Sequence, residues 1–176
     1  MLLAGHLERA EDPVAAATYL AAARAETLKH RHDAAADLVR RGAALPAAAA
    51  IAYELLWLLG DMLRAAGDVE EAIQSFESAW EMAPDDSMRC RAWLGLLDCM
   101  RLADRYDDAL ASLDAVQKIA ETNNMTAELS GIHFRRANIC FPLGRIDDCL
   151  AEHKEAHRLG REANLPYAEA RARWSR

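Results

Sequence analysis

The sequence predicts an all-α protein, a solenoid of antiparallel helix hairpins in a right-handed superhelix with about eight full helices and partial ones at the ends. Apolar residues make up 52% of the 176 residues but aromatic residues only 6%, because alanine carries much of the apolar share, and this composition favours helix. A short motif also recurs: Gly or Asp, a hydrophobe two residues on, then a small residue three further on. It occurs at Gly67-Val69-Ala72, Asp104-Tyr106-Ala109 and Gly144-Ile146-Cys149. The small residues lie 37 and 40 positions apart, a spacing typical of stacked helical hairpins.

The first complete hairpin is predicted at about residues 16–49. Its first helix carries apolar and small residues around Tyr19 and its second around Val39. Pro46 ends the second helix because proline cannot continue one. Residues 1–12 have the pattern of the second half of a preceding hairpin.

The second hairpin, residues 53–86, has the clearest pattern. One face of its first helix is apolar or small, with Leu56, Leu59, Gly60 and Leu63. Gly60 lacks a side chain, so we expect it to let Ala72 of the second helix approach. Gly67 supplies a left-handed turn between the helices, and we expect the Asp68 side chain to cap the second helix.

Two further hairpins follow at residues 90–123 and 130–163. Trp93 begins the apolar face of the first, and Pro142 ends the first helix of the second. Residues 166–176 have the pattern of one more first helix. We therefore expect residues 1–176 to be a single repeat domain that is either cut from a longer array or dependent on a neighbour.

Charge and cysteine usage exclude several classes of function. The net charge is −7, and residues 53–126 hold 15 acidic against 6 basic side chains, which disfavours nucleic acid as a partner. No stretch approaches the roughly 18 apolar residues of a membrane-spanning helix, so we expect no membrane partner. Four cysteines without a C-x-x-C pair are typical of reduced thiols, and we expect a cytoplasmic protein.

These positions resemble the tetratricopeptide repeat (TPR) over nearly the whole chain. The consensus residues of the first helix (large, Leu, Gly, Tyr) and of the second (Ala, aromatic, Ala, Pro) are matched by Leu56, Leu59, Gly60, Leu63, Ala72, Phe76, Ala79 and Pro84. Trp93 is at the consensus Trp position of the next unit. Leu97 and Ala137 depart from the pattern, which prefers Gly there. The resemblance implies a protein-binding module.

A narrower resemblance concerns residues 3–10 and 141–153. Both strings are similar to the TPR tail of bacterial signalling proteins that join a class III adenylate/guanylate cyclase domain, an ATPase module and helical repeats. The resemblance implies a regulatory region. The chain has no G-x-x-x-x-G-K-[ST] phosphate loop, so we expect this chain to bind no cofactor and to be non-catalytic.

The TPR resemblance also implies a groove lined by the second, fifth, ninth and twelfth positions of each first helix. By that register the partner-binding residues are Trp57, Asp61, Arg64, Arg91, Leu94, Asp98, Arg101, Phe134, Arg135, Asn138 and Phe141. Guanidinium groups beside aromatic side chains suit a peptide that bears carboxylates. The alternative is that Arg64 pairs with Asp61, and Arg101 with Asp98, and that nothing binds.

Other hypotheses stay open at the sequence level. His153 and His157 lie four apart, which would suit a metal-dependent hydrolase, although the H-K-E-A-H order misplaces the Glu of H-E-x-x-H. The alternative is that the two histidines have ordinary packing and surface roles and bind no metal. The chain could also be a structural spacer that self-associates through its open repeat ends. Cys140 and Cys149 are predicted to lie in one hairpin core, as buried thiols or as a redox pair.

Overall fold

A computed structural model describes residues 14–165, which form eight α-helices and no strand. The predicted all-α repeat fold with about eight full helices is confirmed. The predicted partial repeats, 1–12 and 166–176, lie outside the described residues. The helices are α1 Ala15–Leu28, α2 His32–Ala43, α3 Ala49–Ala66, α4 Val69–Met82, α5 Asp86–Leu102, α6 Tyr106–Thr122, α7 Thr126–Cys140 and α8 Ile146–Glu162.

The helices pack as consecutive hairpins. α1 packs on α2, α3 on α4 and α7 on α8, and α3 also contacts α1 and α2. The chain divides into two compact units, Met1–Cys99 and Met100–Arg176. The boundaries of the four predicted repeats and the single domain stay predictions. No helix in the described part of the chain is long and apolar enough to cross a membrane.

Six of the helices are followed by a residue whose backbone is in the left-handed conformation. The φ angles of these residues lie between 53° and 92°, at His30, Gly67, Asp104, Asn124, Gly144 and Asn164. In each case the next residue's N–H donates to a carbonyl five residues back, as from Asp68 to Leu63 at 2.9 Å. This bond is part of the Schellman motif, which satisfies carbonyls that the helix end leaves without partners.

The prediction for Asp68 is wrong. Asp68 does precede α4, but its side chain makes no capping hydrogen bond. Its backbone, at φ −81° and ψ 65°, lies outside the extended region in which an N-cap side chain usually reaches the first free N–H groups. Glu70 and Glu71 in the first turn still place negative charge at the positive end of the helix.

The core of the first unit is built around the Phe76 ring, which is 1% exposed. A Cβ on Gly60 would lie 3.0 Å from this ring, and one on Gly95 of α5 would lie 2.4 Å from its Cε1 atom. The three atoms nearest to that Cβ of Gly60 all belong to Phe76. A helical side chain covers the turn N-terminal to its own Cα, so Phe76 reaches back toward the level of Ala72. The predicted approach of Ala72 to Gly60 stays a prediction.

A hydrogen bond between α3 and α5 also fixes this core. The hydroxyl group of Tyr53, which is fully buried, donates to the Met88 carbonyl at 2.7 Å. Burial raises the pKa of this phenol, so it stays a neutral donor. The ring centroids of Trp80 on α4 and Trp93 on α5 are 5.6 Å apart.

The second unit has its own core between α7 and α8. Ser130, buried on α7, donates its hydroxyl hydrogen to the Ala156 carbonyl on α8 at 2.8 Å. Cys140 and Cys149 pack with Ala137 in one cluster as free, buried thiols, in the hairpin core where the sequence placed them. Burial raises the pKa of the Cys140 thiol, which disfavours the reactive thiolate.

Candidate protein-binding face on the first helices

The candidate site of the first unit lies on α1, α3 and α5, the first helices of their hairpins. At its centre is Trp57 of α3, which is half-buried. The Arg91 guanidinium carbon of α5 lies 3.6 Å from the Trp57 ring centroid, a close cation–π contact. On another side the Phe76 ring meets Trp57 edge-on at 6.4 Å. The structure therefore brings together Trp57 and Arg91, which the sequence predicts as groove residues.

Glu54 connects this pair to the preceding hairpin. Arg91 Nη1 donates to Glu54 Oε1 at 2.8 Å, and Arg24 Nη2 of α1 donates to Glu54 Oε2 at 2.6 Å. The Glu54 side chain is 16% exposed, whereas those of Arg24 and Arg91 are 55% and 42% exposed. We call Arg24, Glu54, Arg91 and Trp57 the arginine bridge. Its three charged groups sum to one positive charge.

Glu54 could have been found from the sequence. It is the second residue of its repeat, 37 positions before Arg91, so the register that selects Arg91 also selects Glu54. Arg24 could have been found in the same way, because it is the ninth residue of the first predicted repeat, 16–49, and the ninth position is one of the groove positions.

A second ion pair lies further along α3. Arg64 Nη2 donates to Asp61 Oδ1 at 2.7 Å, the pairing that the spacing offered as an alternative to binding. This hydrogen bond raises the pKa of Arg64. Electrostatic interactions with Asp61, Asp98 and Cys99 raise it further by smaller amounts. Leu94, another predicted groove residue, is only 9% exposed.

The second unit holds the remaining predicted groove residues. Arg101, Phe134, Arg135 and Asn138 are half-buried, and Phe141 is 67% exposed. The Phe134 ring lies 5.6 Å from the His153 ring. His153 thus packs on an aromatic ring, as its repeat position predicts.

No group of three His, Cys, Asp or Glu side chains within residues 14–165 is arranged to hold a metal ion. His153 and His157 therefore have no third ligand of these types among the residues described. His30 and His32 lie edge to face at 6.3 Å.

The second unit also contains a cavity of about 310 Å³ between α6, α7 and α8. Arg136 crosses it and donates to Asp114 at 2.8 Å and Gln117 at 2.7 Å. Glu152 bonds the His133 ring at 2.6 Å. The charges of the cavity are therefore paired internally. Its lining residues are Leu110, Asp114, Arg136, Cys140, Arg145, Asp148, Ala151 and Glu152.

Comparison with known proteins agrees with this fold. Residues 63–126 match the tetratricopeptide repeat family. Aspartyl phosphate phosphatase F from Bacillus subtilis is similar in structure, with a TM-score of 0.78 and 17% identity over 91% of this chain. The putative kinesin light chain TPR-like repeats from Podosopora anserina have a TM-score of 0.72 and 14% identity over 93% of this chain. No curated protein matches the sequence.

The fold defines an all-α helical-repeat protein. The family match and the two structures support a TPR protein. The chain spans 44% of the phosphatase and 84% of the kinesin light chain structure. At these identities the likeness concerns the fold alone.

Proposed function

We propose that this chain is a non-catalytic scaffold that binds another protein or domain through its first helices, as the regulatory repeat region of a bacterial signalling protein of the cyclase/ATPase type. The observation that carries the binding role is the arginine bridge. It presents two partly exposed arginine side chains, and one of them, Arg91, lies over the half-buried Trp57 indole. The resemblance of residues 3–10 and 141–153 supports the signalling context.

The composition of the face suits recognition. Trp and Arg are enriched among the residues that dominate binding energy at protein interfaces. Glu54 and the Trp57 ring already hold the Arg91 guanidinium, so less side-chain freedom is lost when a partner binds. These side chains project from helices, which hold them more rigidly than loops would.

Site-specific photo-crosslinking tests the binding role. A photoreactive phenylalanine analogue replaces Asp61 on the first-helix face, or, as the matched control, Gln74 on the exposed side of α4. We expect partner adducts in a lysate of the source organism from position 61 and not from position 74. Adducts from position 74 alone would contradict the proposal, and adducts only between copies of the chain would indicate the structural spacer.

A separate measurement tests the signalling context. We expect the complete reading frame to encode a cyclase or ATPase domain, and the purified domain to bind this chain in calorimetry. A complete frame without either domain would contradict the proposed parent protein and leave the binding role standing.

A further inference from the structure

We infer that the partner of the first-helix face presents a carboxylate side chain, and that Glu54 occupies the place of this carboxylate in the free protein. The inference rests on the proposed function. It adds the chemistry of the partner, and it identifies Glu54 as an internal competitor of the partner's carboxylate.

The first argument is the unequal number of charges in the arginine bridge. Two guanidinium groups share one carboxylate, because Arg24 and Arg91 bind the two oxygens of Glu54. Each guanidinium has five N–H donors in a planar fork that suits a carboxylate, and each uses one of them on Glu54. Arg91 also contacts the Tyr53 hydroxyl. The remaining N–H groups of the two arginines can receive an incoming carboxylate first, and this carboxylate can then take over the two donors that Glu54 holds.

The second argument is the depth of Glu54. Its side chain is 16% exposed and lies below those of Arg24 and Arg91, which are two to four times as exposed. An incoming carboxylate would meet the guanidiniums before it met Glu54. Its own negative charge would repel Glu54, so the two carboxylates compete for the same donors.

The third argument distinguishes a peptide from a polyanion such as nucleic acid. The chain carries a net charge of −7, which repels an extended chain of phosphates. The single excess positive charge lies beside the Trp57 ring, which offers apolar contact. This arrangement suits a protein segment in which an acidic residue is next to an apolar one.

The experiment measures, by anisotropy, the affinity of a fluorescein-labelled Glu/Leu peptide, in which one Glu stands next to a Leu in an otherwise uncharged sequence. A Gln/Leu peptide and a Lys/Leu peptide serve as comparisons. We expect the Glu/Leu peptide to bind about tenfold more tightly than the Gln/Leu peptide, a difference of about 1.4 kcal/mol. Tighter binding of the Lys/Leu peptide would overturn the inference.

Two substitutions should change this affinity in opposite directions. Glu54→Gln removes the internal competitor and should tighten binding of the Glu/Leu peptide about fivefold to tenfold. Arg24→Gln removes a donor and should weaken it by a similar factor. Matched controls are Asp37→Asn and Arg40→Gln, which change the same charges in an exposed pair on α2, and should leave affinity within about twofold.

Circular dichroism melts establish that each variant is folded. Arg24 is exposed, so Arg24→Gln tests the inference even if Glu54→Gln does not fold. Unchanged or weaker binding by folded Glu54→Gln overturns the competitor role, and equal effects of Arg24→Gln and Arg40→Gln overturn the site. If crosslinks from position 61 persist while these variants have no effect, the partner chemistry is wrong and the scaffold function stands. Absence of partner crosslinks from position 61 in the otherwise unchanged protein overturns the function itself.

Discussion

At the scale of single residues, the fit of the Phe76 ring between Gly60 and Gly95 determines how closely three helices of the first unit approach. A methyl group at position 95 would lie 2.4 Å from a ring carbon, closer than any real contact. At position 60 the same group would lie 3.0 Å away. The cost of a side chain should therefore be larger at position 95.

Gly95→Ala should lower the free energy of unfolding by about 1–3 kcal/mol through overpacking. Chemical denaturation measures the change. Gly60→Ala should cost less. In a double-mutant cycle Gly95→Ala should cost less in the Phe76→Leu background, because the smaller side chain relieves the clash. Equal costs in both backgrounds would contradict the assignment of Phe76 as the clashing group.

A second residue-scale prediction concerns Cys99, which is fully buried. Burial raises its pKa to about 11. The folded state therefore keeps the thiol proton above pH 9, where the unfolded chain loses it, and folding stability falls as pH rises from about 9 to about 11. In Cys99→Ala the fall over this range should be smaller, as measured by denaturation at several pH values. An identical pH profile for both proteins would rule out Cys99 as its source.

At the scale of elements, the residues with a left-handed backbone at the helix ends show that the cost of a positive φ is distinct from the cost of a steric clash. A Cβ added to Gly67 or Gly144 would meet no atom within 4 Å, so space is not what requires glycine there. His30 adopts a similar conformation, with φ 57°, although a side chain disfavours it.

His30→Gly should therefore raise the free energy of unfolding by about 0.5–1 kcal/mol, and Gly67→Ala should lower it by about as much. Thermal and chemical denaturation check both signs. Gly95→Ala serves as the contrasting case, since its cost comes from a clash. A neutral Gly67→Ala would show that the turn adopts another conformation without penalty.

The sequence predicted the elements better than the contacts between them. Periodicity and turn residues such as Gly67 depend on neighbours along the chain, so the helices and turns could be predicted. The Phe76–Gly95 contact joins separate hairpins, so no pattern within one hairpin indicates it. Arg24 bonds to Glu54 across 30 positions; the repeat register selects each residue as a groove position and does not show that the two pair. The predicted groove residues stay a prediction.

At the scale of the whole molecule, the negative charge is concentrated on exposed helix faces. Glu70, Glu71, Glu77 and Glu81 line the exposed side of α4, and none forms an ion pair with another residue of the described range 14–165. Other exposed carboxylates are paired at short range, and Glu155 with Arg158 at 2.7 Å is an example. Salt screens charges more than about 10 Å apart more strongly than such short pairs.

Raising NaCl from about 0.05 M to about 0.5 M should therefore stabilise the protein, because it screens the repulsion among unpaired carboxylates. Glu77→Gln should reduce this salt response and raise the melting temperature slightly. Glu155→Gln is the control: it removes the same charge together with an ion pair, and should give no such gain. Stability that falls with salt in the wild-type protein would show that the ion pairs dominate.

The four cysteines are buried thiols, between 0% and 6% exposed. A single cysteine introduced at an exposed position such as Gln74 would therefore react with a maleimide dye long before the native thiols do. A fluorophore or spin label can therefore be attached without first replacing the native cysteines. Distances within each unit can then be measured by spectroscopy in solution.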